Sequence, residues 1–223
     1  MTAGRQLILD LGHRPAFGRD DFLVSAANQE AVEWIDRYPS WSGYGLALVG
    51  PAGSGKTHLA QVFARATGAV VLSAASLAVA GIGAVTAANH VVVVDYDGTV
   101  FDERALLHLL NAIKERDGHV LVTSREAPAR WGVSLADLHS RLSVLPVVRI
   151  AAPDDVLLEA VLIKLFADRQ LTVAPDVVAY ALRHMDRSFA ALRAIVARAD
   201  AESLAGQRAV TVPLIKSLLG TNI

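Results

Sequence analysis

Gly50-Pro51-Ala52-Gly53-Ser54-Gly55-Lys56-Thr57, residues 50–57, has the form G-x-x-x-x-G-K-T of a phosphate-binding loop. Before it, Leu46-Ala47-Leu48-Val49 has the length and apolarity of a buried strand. After it, His58 to Ala66 has helical composition and no breaker. This strand–loop–helix order is the context in which the motif carries chemistry. The glycines let the backbone curl until successive N–H groups face phosphate oxygens, and the helix N-terminus adds its dipole. Gly50, Pro51, Ala52, Gly53, Ser54 and Gly55 then form the cradle, Lys56 neutralises the outer phosphates, and the Thr57 hydroxyl is a ligand for Mg²⁺. The ligand class is a nucleoside diphosphate or triphosphate with Mg²⁺.

A chain of 223 residues suits one large α/β domain with a small appendage. It is 53% apolar with few aromatics, so the core is expected from Ala, Val and Leu. The absence of cysteine excludes disulfides and thiolate metal sites and suits a reducing cytosol. No basic segment followed by an apolar core marks a secretory signal at the N-terminus. Residues 66–94 carry no charge, but Ser73, Ser76, Gly81, Gly83, Thr86, Asn89 and His90 interrupt the run. Strand, Ala-rich helix and strand is the better reading than a membrane span. The net charge of −1 and the absence of a basic stripe argue against duplex DNA binding as the main activity.

Strands are expected at 45–49, 69–72, 90–95, 119–124 and 147–150. Helices are expected at 25–38, 57–66, 76–86, 102–116 and 134–141. Alternation of this kind argues for a parallel sheet covered on both faces, and runs such as Val91-Val92-Val93-Val94 suit strands buried on both sides. After Ala152 the pattern turns helical. Pro153-Asp154-Asp155 is a helix start, and further helices fit 175–185, 188–205 and 212–219, with Ala209-Val210-Thr211 the one remaining strand candidate. The expected organisation is a tail at 1–20, a nucleotide-binding α/β subdomain at 21–151 and an all-helical lid at 152–223.

Val91 to Asp95 has the form of a Walker B strand, whose terminal acid holds Mg²⁺ directly or through water. The residue after that acid is often a second acid that polarises the attacking water. Here it is Tyr96, which is no general base near neutral pH, and the next acid is Asp97 at the wrong spacing. Nucleotide binding is therefore expected more firmly than fast hydrolysis. The strand ending Thr123-Ser124 places hydroxyls either toward a γ-phosphate and its water or simply in a polar turn. Arg141, in Leu138-His139-Ser140-Arg141-Leu142, is either a surface residue or an arginine finger for a neighbouring subunit. Such fingers raise rates by roughly 10³–10⁵.

In this order the motifs resemble AAA+ ATPases of the DnaA class, and more narrowly the short DnaA-related regulators of the Hda type. Gly55-Lys56-Thr57-His58-Leu59 is a DnaA-class wording, the segment from Phe17 to Asn28 resembles the pre-sheet segment that cups adenine, and Thr211 to Lys216 resembles the lid's closing helix. The likeness spans residues 6–219. It implies a P-loop AAA+ domain with a five-stranded parallel sheet between helices, followed by a small helical lid. It also implies Phe22 and His58 beside an adenine nucleotide, ADP or ATP with Mg²⁺ on Thr57 and Asp95, and Thr123 near the phosphates. The chain stops where the lid ends, so the DNA-binding domain of DnaA is not expected, nor is strong direct DNA binding.

Gln6-Leu7-Ile8-Leu9-Asp10-Leu11 is similar to the Q-L-x-L-x-L peptide with which such regulators hold the DNA sliding clamp. Gln6, Leu7, Leu9 and Leu11 are the residues that would fill its apolar pocket. The resemblance makes Arg141 the finger, acting in trans on DnaA. It implies a cytoplasmic regulator that, tethered to the clamp (the polymerase β subunit), stimulates ATP hydrolysis by DnaA and limits initiation. Its intrinsic ATPase would be weak at most, and self-association through the AAA+ interface is a further expectation. Two departures stand out: Tyr96, and Ala190 where the lid pattern has arginine, with Arg187 and Arg193 three residues to either side. A helicase loader or transposition helper is the alternative within AAA+ proteins. A small P-loop kinase fits less well with the helical C-terminal quarter.

Overall fold

A computed structural model of the chain describes residues 22–206 and 209–220. β1 (Gly45–Val49), β2 (Val70–Ser73), β3 (Val91–Asp95), β4 (His119–Ser124) and β5 (Val147–Arg149) form a five-stranded, all-parallel sheet in the order β2-β3-β4-β1-β5. Successive side chains of a strand point to opposite faces, so each strand feeds two cores. Leu46, Leu48, Val91, Val93 and Leu121 pack with α1 (Gln29–Asp36) and α2 (Lys56–Thr67) on one face. Ala47, Val49, Val92, Val94, Val120 and Val122 pack with α3 (Val79–Ala88), α4 (Glu103–Glu115) and α5 (Ala136–Ser143) on the other. Burial on both faces is why the strands read as continuous Val/Leu runs.

α6 (Asp155–Ala167), α7 (Pro175–His184), α8 (Phe189–Gly206) and α9 (Val212–Gly220) close around a separate core that includes Leu162, Phe166, Ala181, Leu192, Val196 and Ile215. The start expected at Pro153-Asp154-Asp155 is present: the Asp154 carboxylate accepts from the Leu157 N–H at 2.7 Å, satisfying an N-terminal donor of α6. Asp102 caps α4 in the same way through the Ala105 N–H. No helix among the described residues is long and apolar enough to cross a membrane.

Several boundaries differ from the expectation. α1 begins at Gln29 rather than 25, because Asn28 knits the chain before it into a turn. Its side chain accepts from the Ser25 N–H and donates to the Leu23 carbonyl. The helix ends at Asp36, before Pro39 excludes further helical turns. α5 runs 136–143 rather than 134–141, because its start is set by a side chain distant in sequence. Glu103 accepts from the Ser134 and Leu135 N–H groups and the Ser134 hydroxyl, all within 3.0 Å. Residues 209–211 are not a strand: Val210, 5% exposed, packs into the lid core, which offers no sheet edge to pair with.

The donors at Ser134 and Leu135 hold the Glu103 carboxyl below its ordinary value of 4.5. A depressed carboxyl stabilises the fold above the unfolded-state pKa and loses that contribution as the pH falls through its lowered native value. Glu103→Ala is therefore expected to lower stability at neutral pH, with the gap to the parent closing in acid below 4.5. Denaturant melts over a pH series measure this, and a gap that persists unchanged in acid would contradict the role given to Glu103.

Candidate functional site

The loop expected at 50–57 leaves the C-terminal end of β1 and runs directly into α2. Gly53 and Gly55 adopt φ of +73° and +95°, a region that disfavours side chains, and the curl depends on both. The Gly50 N–H donates to the Ser124 carbonyl, tying the loop to the end of β4. Lys56 Nζ donates inward to the Pro51 carbonyl at 2.7 Å and lies 3.4 Å from the Ser54 hydroxyl. Burial pushes the Lys56 ammonium below its usual pKa, Asp95 opposes the shift, and Arg125 adds to it. A phosphate entering the loop offers Lys56 an anionic partner in place of that carbonyl.

Strand register brings the second motif alongside. Asp95 pairs with Thr123 across β3 and β4, and Val49 pairs with Ser124 across β1 and β4. Thr123 is fully buried and donates its hydroxyl to the Asp95 carboxylate, so it orients that acid rather than standing open to a ligand. The Ser124 hydroxyl donates to the Glu126 carbonyl at 2.6 Å. Among the described residues there is no cluster of three or more His, Cys, Asp or Glu that holds a metal unaided. Thr57, at the start of α2, and Asp95, at the end of β3, are the oxygen-bearing residues the sequence puts forward for Mg²⁺, an ion that usually takes few protein ligands and completes its shell with phosphate and water.

Neither residue after Asp95 is placed as a base. The Tyr96 ring lies 4.1 Å from that of Trp131 and 5.4 Å from that of Phe101, in an aromatic cluster on the core edge. The Asp97 carboxylate closes its own turn, accepting from the Thr99 hydroxyl at 2.7 Å and the Thr99 N–H at 3.0 Å. Those bonds hold the Asp97 carboxyl below its ordinary pKa.

The lid touches the loop through residues not expected from the sequence. A methyl group at Gly53 would come within 2.7 Å of the Ser188 Cβ, and one at Gly55 within 3.2 Å of the Phe189 ring. Beside this contact a cavity of about 590 Å³ opens, lined by Phe22, Thr57, His58, Leu157, Phe189 and Arg193. The rings of Phe22 and His58, both in its lining, stack 5.6 Å apart. Ala190 is exposed, and the two flanking arginines divide clearly. Arg187 is held by Asp155 at 2.5 and 2.6 Å, whereas Arg193 lines the cavity.

Arg141 is elsewhere. Its carbonyl accepts from the Tyr44 hydroxyl at 2.7 Å, and Tyr44 immediately precedes β1. The phosphate loop follows the opposite end of that strand, five residues away, or about 16 Å at ~3.3 Å per residue. An arginine side chain does not span that length, so Arg141 and this chain's own loop are separate. Gln6, Leu7, Leu9 and Leu11 lie outside the described residues.

Residues 158–219 match the family model of the Hda lid domain. Domain III of the Thermotoga maritima replication initiation protein DnaA superposes with a TM-score of 0.73 at 16% identity, over 93% of this chain and 97% of that one. This chain has a DnaA/Hda-like AAA+ fold. The AMPPCP-bound DnaA of Aquifex aeolicus gives a TM-score of 0.65 at 16% identity, over 86% of this chain and 68% of its own. The fold extends to the RuvB Holliday junction branch migration motor of Thermotoga maritima, with a TM-score of 0.62 at 13% identity over 80% and 61% of the two chains. No curated protein matches the chain in sequence.

The split between the two arginines sets an expectation for the lid. Arg193→Ala should weaken adenine-nucleotide binding about ten-fold, the scale of one charge-assisted hydrogen bond. Arg187→Ala should leave affinity unchanged, since it removes an exposed ion pair worth about 1 kcal/mol or less. Nucleotide titration of both variants checks this, and equal losses would contradict the division.

Proposed function

We propose that the chain is a nucleotide-binding AAA+ regulator of chromosome replication initiation that stimulates ATP hydrolysis by DnaA. In this reading the loop at 50–57 holds ADP or ATP with Mg²⁺ on Thr57 and Asp95, and Arg193 supplies the lid's cation. Phe22 and His58 form a platform for the adenine ring in a cavity of the size usual for such ligands. Arg141 neutralises charge developing at a nucleotide held by the partner, and Gln6, Leu7, Leu9 and Leu11 tether the chain to the DNA sliding clamp. The DnaA structures that share the fold include one bound to AMPPCP, which supports an adenine nucleotide here.

One observation carries the reading. Arg141 lies at the end of the sheet remote from this chain's own phosphate loop, so a catalytic role for it requires a second molecule's nucleotide. The Hda lid match supports DnaA as that molecule. The packing of Tyr96 and the closed turn of Asp97 leave Asp95 without a neighbouring base, which fits a site that retains its nucleotide and turns over slowly. This reading defines three duties for the chain: Lys56 binds, Thr123 orients Asp95, and Arg141 serves the partner.

The test is hydrolysis of ATP pre-bound to DnaA, with DNA-loaded clamp and this protein added together and separately. Hydrolysis should require all components and fall on changing Gln6 and Leu7 to alanine. Arg141→Ala should keep nucleotide and clamp binding while losing about 10³-fold or more of the stimulation. Lys56→Ala should abolish nucleotide binding by the chain itself. Full stimulation by the Arg141 variant would remove the finger assignment, and absence of stimulation by the parent would favour a loader-type ATPase.

A further inference from the structure

α6 is apolar on more than one face. Leu158, Leu162 and Phe166 enter the lid core, whereas Leu157, Val161 and Leu165, at four-residue spacing, line the cavity beside the phosphate loop. The Phe22–His58 ring pair lines the same cavity, so flat apolar surface is available to a base. The polar side chains sort along its length. Thr57 follows Lys56 directly, and Gln61 is one turn further along α2, about 6 Å past Thr57 at ~1.5 Å per residue. The first turn of α6 is held beside the loop, because Asp155 bonds Arg187 and the adjoining Ser188 lies against Gly53. Lys164 and Asp168 follow about 14 and 20 Å along that helix from Asp155. Thr57 therefore marks the phosphate end, and Gln61, Lys164 and Asp168 lie toward the base. Lys164 and Asp168 are closed on each other, with Nζ 3.2 Å from both carboxylate oxygens. The Gln61 amide makes no hydrogen bond to any described residue.

We propose that Gln61 reads the base of the bound nucleotide and selects adenine over guanine; the inference rests on the nucleotide site of the function proposed above. A glutamine amide carries an acceptor and a donor side by side in one plane. Adenine has the matching edge: its N6 amine donates to Oε1 while N7 accepts from Nε2. Guanine presents two acceptors, O6 and N7, on that edge, so one of them faces Oε1 and a bond is lost. The apolar walls take either purine, and selection comes from the polar group left unpaired rather than from ring size. Gln61 is in this sense a specificity residue, set apart from Lys56 and Arg193, which serve the phosphates of any nucleotide.

Equilibrium titration of the full chain with ADP, GDP and 7-deaza-ADP, in which C–H replaces N7, tests the assignment. The parent should bind ADP about ten-fold more tightly than either of the others. Gln61→Leu, at an exposed position, should weaken ADP binding about ten-fold and lose both preferences. Gln61→Glu keeps the acceptor for N6 and lacks the donor for N7. It should still favour ADP over GDP but no longer over 7-deaza-ADP. Arg193→Ala should weaken ADP and GDP alike and leave their ratio at the parent value, which separates reading of the base from grip on the phosphates. The proposal is overturned if Gln61→Leu keeps the parent's ratios, or if the parent itself does not distinguish the three nucleotides. A parent that binds none of them would remove the nucleotide site and this assignment together. Selectivity that depends on Gln61 stands even where DnaA is not stimulated, so the two readings fail separately.

Discussion

The arrangement depends on a backbone constraint: two glycines at positive φ, Gly53 and Gly55, turn the chain sharply between a fully buried strand and a helix. Because β1 is walled in by β4 and β5, the loop has a fixed base, and the Gly50–Ser124 bond stops it from swinging. The missing side chains do a second service. They leave room for Ser188 and Phe189, so the lid rests on the loop backbone itself. The curl that suits phosphate oxygens and the seat that suits the lid are therefore one geometric requirement.

Electrostatics around the loop is balanced rather than uniformly positive. Lys56 and Arg125 stand against Asp95, and burial already disfavours the charged amine. A bound anion would add to the support that Asp95 already gives the buried ammonium. On the lid, one arginine is consumed in holding α6 to the start of α8 while the other faces the cavity. The lid has thus kept a cation near the site although Ala190 occupies the position where one was expected.

Much of the fold was legible because its signals are local. The alternation of Val/Leu runs with helical segments, the loop motif and the Pro153-Asp154-Asp155 start each depend on a few adjacent residues. What escaped is what depends on contacts distant in sequence. Glu103 sets the beginning of α5 from 31 positions away, and Tyr44 reaches Arg141 across 97. The helical expectation for 25–28 failed because Asn28 bonds to backbone that a helix would use. At the site, Thr123 was legible as a polar strand end but not as a support for Asp95, since that needs strand register. Arg125 follows Ser124 directly and was within sight; only the β4–β1 pairing shows that it shares the electrostatics of Lys56. The lid's grip on the loop had no sequence signature at all.

Arg141 rides on a helix pinned at both ends, by Glu103 at its first turn and by the Tyr44 hydroxyl at its last. Under the function proposed above, its backbone has few alternative positions to abandon on meeting a partner. Much of the entropy that a mobile loop would lose on association is already spent in folding, so preorganisation sharpens the encounter without any extra contact. The same pinning keeps the helix indifferent to the lid, which bears on the opposite end of the sheet. In the proposed reading, the nucleotide under the lid and the arginine offered to a partner therefore sit at opposite ends of one small sheet.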